Sequence, residues 1–221
     1  MDTSTIEYAD FAEYDRRQRA IEHHLLAAFF AGLAVGVIGM LLPNPGWAGQ
    51  IYDPYAYLAL SLAVGATASG FGWALLTTVL ASLSTLVAAI GASALRGGDF
   101  MSLDGIPATG LNGELALLVC LGLLAYATRR EDVWGDVAAG AVGAALIADV
   151  VARAAPGAVG GEQSFWPGPA AVIGVLTVAA VLVLRRNVRG RVRALALSAT
   201  LAGLVTAGMA TAMTDWFPLA G

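Results

Sequence analysis

The chain has 221 residues, of which 58% are hydrophobic and only 13% charged, with a mean hydropathy of +0.73 and a formal net charge of −4. An ordinary soluble domain carries about 25% charged residues, so this composition excludes one, and the negative balance argues against nucleic acid as a partner. All twelve basic residues are Arg, an Ala- and Gly-rich skew that fits a GC-rich prokaryotic genome, and the single Cys120 cannot close an intrachain disulfide.

Residues 1–23 read as a cytoplasmic amphipathic tail. Ser4 and Glu7 make a helix-start box, each able to satisfy an orphan backbone amide. Phe11, Tyr14, Ile21 and Leu25 then recur at helical spacing. Two readings follow: a helix lying on the inner leaflet and running into the first crossing, or docking of a partner protein through Phe11, Tyr14 and Ile21. The acids Glu7, Asp10, Glu13 and Asp15 weigh against a leaflet that is itself negative. Glu22, His23 and His24 are consecutive and so point in different directions around a helix; they read as a polar collar, not a metal site.

Residues 24–221 carry seven apolar runs, at approximately 25–42, 51–68, 73–95, 111–128, 133–154, 169–184 and 192–213. Each is close to the roughly 20 residues that a bilayer crossing requires. The first follows an acid-containing tail and precedes no small-residue cleavage site, so it reads as a retained helix. The stretch 51–95 would be about 68 Å long as one helix, more than twice a bilayer core. Ser69-Gly70-Phe71-Gly72 supplies turn residues that divide it.

Ten of the arginines fall in three clusters: Arg16, Arg17 and Arg19; Arg129 and Arg130; and Arg185, Arg186, Arg189, Arg191 and Arg193. Basic flanks mark the cytoplasmic side. Seven crossings from a cytoplasmic N-terminus put all three inside, with Arg96 and Arg153 outside beside helix ends from which they can snorkel; six would oppose the first cluster to the others. The expected fold is therefore all-α: a polytopic integral membrane protein of the prokaryotic cytoplasmic (inner) membrane, a seven-helix transmembrane bundle with the N-terminus cytoplasmic and the C-terminus outside. Each cluster is adequately explained as a topology signal. Trp47, Tyr52, Tyr55, Phe165, Trp166, Trp216 and Phe217 make an outer aromatic belt, with Trp73 and Trp134 at the inner face. Residues 117–148 and 176–209 each read as helix, Arg-Arg turn and Ala/Gly-rich helix, a similarity that biased composition readily produces.

Ionisable groups within a bilayer are costly and are functional candidates for that reason. Asp149 lies one turn inside the outer end of the fifth run, with Arg153 at i+4 to neutralise it; Glu114, at similar depth, could join them. The pair reads first as a packing feature and second as the mouth of a cation or proton pathway. Thr78, Ser82, Thr85 and Ser93 fall near one face of the third run, flanked by Thr77 and Ser84. Hydroxyls there usually bond a neighbouring helix or their own i−4 carbonyl; the alternative is a hydrated path. Gly32 with Gly36, Ala66 with Gly70, Ala139 with Gly143, and Ala199 with Gly203 have spacings that permit close helix approach.

Met209 and Met213, with Met40 and Met101, could offer soft thioethers to Cu(I), but Met is also an ordinary gap-filler, and no metal or cofactor is expected. With no Lys, no His inside any run and no metal- or phosphate-binding motif, an enzyme is not expected; outer-loop acids such as Asp99 and Asp104 would carry a lipid-directed one. The leading expectation is a non-enzymatic accessory or structural subunit that assembles with another protein or its own copies among membrane lipids. The alternative is a small-solute or ion permease with its pathway along the third run.

Overall fold

The computed structural model describes residues 3–42, 47–95, 108–154, 168–185 and 187–216, excepting the side chains of 3–10, 47, 50, 93, 108–111 and 209–216. Arg96, Asp99, Met101, Asp104, Phe165, Trp166, Arg186 and Phe217 thus lie outside the described residues. So do the side chains of Ser4, Glu7, Asp10, Trp47, Ser93, Met209, Met213 and Trp216.

Among the described residues all regular structure is helical: α1 (Thr3–Leu41), α2 (Trp47–Tyr52), α3 (Tyr55–Thr67), α4 (Phe71–Leu95), α5 (Ala108–Ala127), α6 (Val133–Ala154), α7 (Gly168–Leu184) and α8 (Val188–Trp216). Three segments, Phe11–Leu41, Phe71–Ala92 and Val133–Ala154, are long and apolar enough to cross a membrane, and Tyr55–Thr67, Asn112–Ala127 and Gly168–Leu184 are shorter apolar helices. The outer surface is itself apolar: Leu26, Phe30, Ile38, Leu76, Val87, Val175, Val183 and Leu204 are all exposed. So extensive an apolar exterior is foreign to a water-soluble monomer and suits a lipid environment.

The tail helix runs without a break into the first apolar run: α1 continues through residue 23 to Leu41 as one helix of about 58 Å. One expected run is divided. The run 51–68 is interrupted at Asp53-Pro54: Pro54 has no N–H to donate, so α2 closes with the Asp53 amide donating to Gly49 and α3 begins afresh at Tyr55.

Small residues set the helix approaches and thereby the direction of each helix. Gly32 and Gly36 of α1 rest on Ala81 and Ser84, then on Thr85 and Ala88, so α1 runs parallel to α4. Gly65 of α3 abuts the backbone of Gly122 of α5, near the C-terminal end of each. Gly140 and Gly143 of α6 meet Leu197 and Ser198 of α8, again in parallel. Gly203, one of the expected close-approach positions, instead meets no other helix among the described residues. The largest buried cluster joins α3, α5, α6 and α7 through Tyr55, Leu58, Leu62, Leu121, Val142, Leu146 and Ile173. The α1–α4 pair and α8 pack outside it, on α3/α5 and on α6 respectively.

Arg129 donates to the Ala68 carbonyl, and Arg185 donates to the carbonyls of Thr128 and Arg130. These bonds gather the turns after α3, α5 and α7 at one end of the bundle. Because α1 runs with α4, its N-terminal half leaves from this same arginine-bearing end. Tyr55 and Asp149 meet at the opposite end.

Candidate functional site

Titratable groups collect at both ends of the bundle. At the end away from the arginine-bearing turns, Asp149 and Arg153 are joined as their i+4 spacing predicts, with Arg153 Nε 3.1 Å from Asp149 Oδ2. The same oxygen accepts the Tyr55 hydroxyl at 2.6 Å. Tyr55, expected only as an interfacial aromatic, is in fact buried and is the first residue of α3. The shared carboxylate therefore ties the start of α3 to the last turns of α6. Glu114 does not join the group: it is exposed and, among the described residues, has no hydrogen-bond or ion-pair partner.

The hydroxyl face of α4 is buried. Thr78 donates to Ala74 O at 2.6 Å, Ser82 to Thr78 O at 2.9 Å and Thr85 to Ala81 O at 2.9 Å, while Thr77 and Ser84 likewise bond carbonyls of their own helix. Thr78 packs on Gly122, and Ser84 and Thr85 on Gly32 and Gly36. Ser82 also lines an apolar groove of about 220 Å³ with Val79, Leu83, Leu115, Ala116 and Val119.

In the N-terminal half of α1, every residue from Phe11 to Ala20 is exposed, Phe11 at 70% and Tyr14 at 66%, and Ile21 is the first to be partly covered. The α1–α4 register explains this, because it places Phe71, where α4 begins, level with about residue 21. Helical periodicity puts Tyr14, Ile21 and Leu25 on the side that buries Ala28 and Gly32, with Phe11 at its edge. The aromatic face thus prolongs an existing packing surface beyond the helix that covers it. Arg17 and Arg19 pair with Glu13 and Asp15 within the helix.

The arginine-bearing end holds a site that the sequence did not single out. Asp136, in the first turn of α6, and Arg185, just after α7, are 4% and 6% exposed and form an ion pair. Arg185 Nη1 also donates to Thr128 O at 2.8 Å and Arg130 O at 2.6 Å, so a single guanidinium ties the end of α5 to α6 and α7. Among the described residues its Nε–H meets no acceptor, and Asp136 Oδ1 accepts no hydrogen bond. Gly135 and Gly190 leave the room: a Cβ at Gly135 would run into the Arg130 carbonyl and the Arg185 guanidinium, and one at Gly190 into the Asp136 carboxylate, with the guanidinium close behind.

Around this pair, Arg191 Nε donates to Leu182 O and Arg185 O at 3.1 and 2.7 Å. Arg193 stands 3.8 Å from Asp136 Oδ2, with its side chain 63% exposed. Asp132 and Asn187 cap α6 and α8, accepting from the amides of Gly135 and Arg189. Desolvation raises the Asp132 carboxyl, but the Gly135 amide and the Arg130 guanidinium together outweigh it and hold the group below its ordinary value. A topology signal therefore does not account for the whole third cluster, because Arg185 is buried and engaged on every side but one.

Each member of the pair has a sufficient local explanation. An acid in a first helical turn is ordinarily explained by the helix dipole, and an Arg in an inner loop by membrane topology. The available signal was the recurrence of Arg-Arg, a capping Asp or Asn, and Gly in both turns. No family profile, curated protein or solved structure matches this chain.

Proposed function

We propose that the protein is a seven-crossing subunit of the prokaryotic cytoplasmic membrane, with its N-terminus in the cytoplasm and its C-terminus outside, that assembles with a cytoplasmic or membrane partner through the overhanging half of α1. In this reading α1 and α3 to α8 are the crossings, with α2 and α3 together making one interrupted crossing. Two features support the orientation: the alternating helix directions and the gathering of the arginine-bearing turns at one end. A cytoplasm-maturing fluorescent protein fused after Gly221 should stay dark; a bright fusion would overturn the crossing count.

The observation that carries the assembly reading is the exposed face of Phe11 and Tyr14, held on a helix anchored by its own packing on α4. A photoreactive residue at Tyr14 should give one discrete cross-linked adduct in cells, and Phe11→Ala should weaken it. A smear of adducts, or lipid adducts alone, would sink the reading. For the permease alternative, the group at Asp149, Tyr55 and Arg153 is the candidate mouth. Asp149→Asn in proteoliposomes should then change flux or its pH dependence, and absence of flux in the unaltered protein would end that idea.

A further inference from the structure

We propose that the groove between α6 and α8 at the arginine-bearing end is a binding site for one anionic phospholipid, with Arg193 as the headgroup anchor. The groove encloses about 310 Å³ and is lined by Val133, Asp136, Arg193, Ala196, Leu197 and Thr200. That volume is at the small end of ligand pockets. Val133, Arg193, Ala196 and Thr200 are exposed, so it opens sideways from the bundle and not toward its axis.

Its polarity is graded along α8. Arg189 and Arg193 occupy the first two turns of one helical face, and Ala196 and Thr200 continue that face inward. The Thr200 hydroxyl is already committed to the carbonyls of Ala196 and Leu197, so the inner part of the groove offers an apolar floor. This order, cation first and then apolar surface, matches a phosphodiester headgroup followed by an acyl chain.

Asp136 is the obvious competitor for Arg193. Its charge, however, is already met by the buried Arg185, and Arg193 approaches the remaining oxygen no closer than 3.8 Å, beyond hydrogen-bonding reach. The Asp136 carboxylate therefore steadies the Arg193 side chain without using its donors. Among the described residues none of its five N–H groups is used, so they remain for an anion, in the fork geometry that grips phosphate oxygens in pairs. The assignment rests on the membrane reading above, because only a membrane crossing by α6 and α8 brings lipid to this groove.

Native mass spectrometry of the full chain in mild detergent tests it, with phosphatidylglycerol, phosphatidylcholine and inorganic phosphate as separate probes. The expected result is one retained phosphatidylglycerol, favoured over phosphatidylcholine. Arg193→Gln should weaken retention about five-fold, the effect of one basic residue at an anionic lipid surface, whereas Arg193→Lys should lose less. Ala196→Phe, which fills the acyl floor, should cut lipid retention and leave phosphate binding unchanged; Arg16→Gln on the remote tail should change nothing. Equal retention by the Arg193→Gln protein, no headgroup preference, phosphate binding without lipid, or a dimer occupying the groove would each overturn the site. Carbonate extraction of cell membranes reports the membrane reading separately, so failure of one is distinguishable from failure of the other.

Discussion

Removing one partner of the Asp136–Arg185 pair is the sharpest test of what holds the arginine-bearing end together. Asp136→Ala leaves a guanidinium that is 6% exposed, with two carbonyl acceptors and no counter-charge. Breaking a buried pair in this way costs about 3–5 kcal/mol. The retained bonds to Thr128 O and Arg130 O place the expectation at the lower end, about 3 kcal/mol. Arg185→Met should cost a similar amount, because it leaves Asp136 only the more distant Arg193 as counter-charge and also leaves those two carbonyls without their donor.

The two losses should not add. Both substitutions remove the same interaction, so the double variant Asp136→Ala/Arg185→Met should be about as stable as either single one, a coupling of roughly 3 kcal/mol. The assay is unfolding in mixed micelles of rising dodecyl sulfate content, read by helicity and by Trp fluorescence across the four proteins. Losses that add to within about 0.5 kcal/mol would show that the two side chains act independently and would refute the pairing. Asp136→Asn is the internal control, since it keeps an oxygen acceptor and should fall between the unaltered protein and Asp136→Ala.

Other expectations follow from the same geometry. Gly65→Ala should be severely destabilising in the same micelle assay, by about 1–3 kcal/mol or more, because its Cβ meets the Gly122 backbone and no side chain can yield. Gly203→Ala, with no described atom near its Cβ, should stay within about 0.5 kcal/mol. Asp132 is held below its ordinary carboxyl value in the folded chain, so its share of stability is complete above that value and is lost as pH falls through the lowered one; Asp132→Asn should therefore flatten the stability profile in that acid window and nowhere else. Arg185→Lys keeps the charge but cannot reach two carbonyls and a carboxylate at once, and should lower stability measurably. Arg189→Lys, exposed and without side-chain partners among the described residues, should not.

Helix content was legible because apolar length is a strong signal, and α6 has the expected bounds of 133–154. The division of 51–95 at Ser69-Gly70 was legible for the same reason that it occurs: turn residues interrupt a run too long for one crossing. The break at Asp53-Pro54 was hidden because the flanking residues are apolar enough to read straight through the proline. The i+4 pair Asp149–Arg153 followed from helical spacing alone, whereas its third member, Tyr55, lies 94 residues away from Asp149 and is joined only by the packing of α3 on the rest of the core. Asp136 and Arg185 are likewise distant in sequence, and each had a sufficient local explanation. A sequence read in local windows assigns such residues to helix dipole or topology and finds no reason to join them.

The arginines at the turns after α5 and α7, with Arg191 at the start of α8, carry two kinds of information, and residue chemistry separates them. As topology signals they require only positive charge near a helix end, which Lys supplies as well as Arg. As connectors they require a planar fork, and the connections form a series. Arg129, from the turn after α5, donates to the C-cap carbonyl of α3, and Arg185, from the turn after α7, donates to the carbonyls that end α5. Arg191, having no later hairpin to serve, turns back to the carbonyls ending α7. Helix C-termini leave carbonyls unsatisfied and carry a partial negative charge, so a guanidinium from the next turn meets two needs with one group. The same placement that reads as cytoplasmic orientation therefore also sets the order in which the hairpins stack.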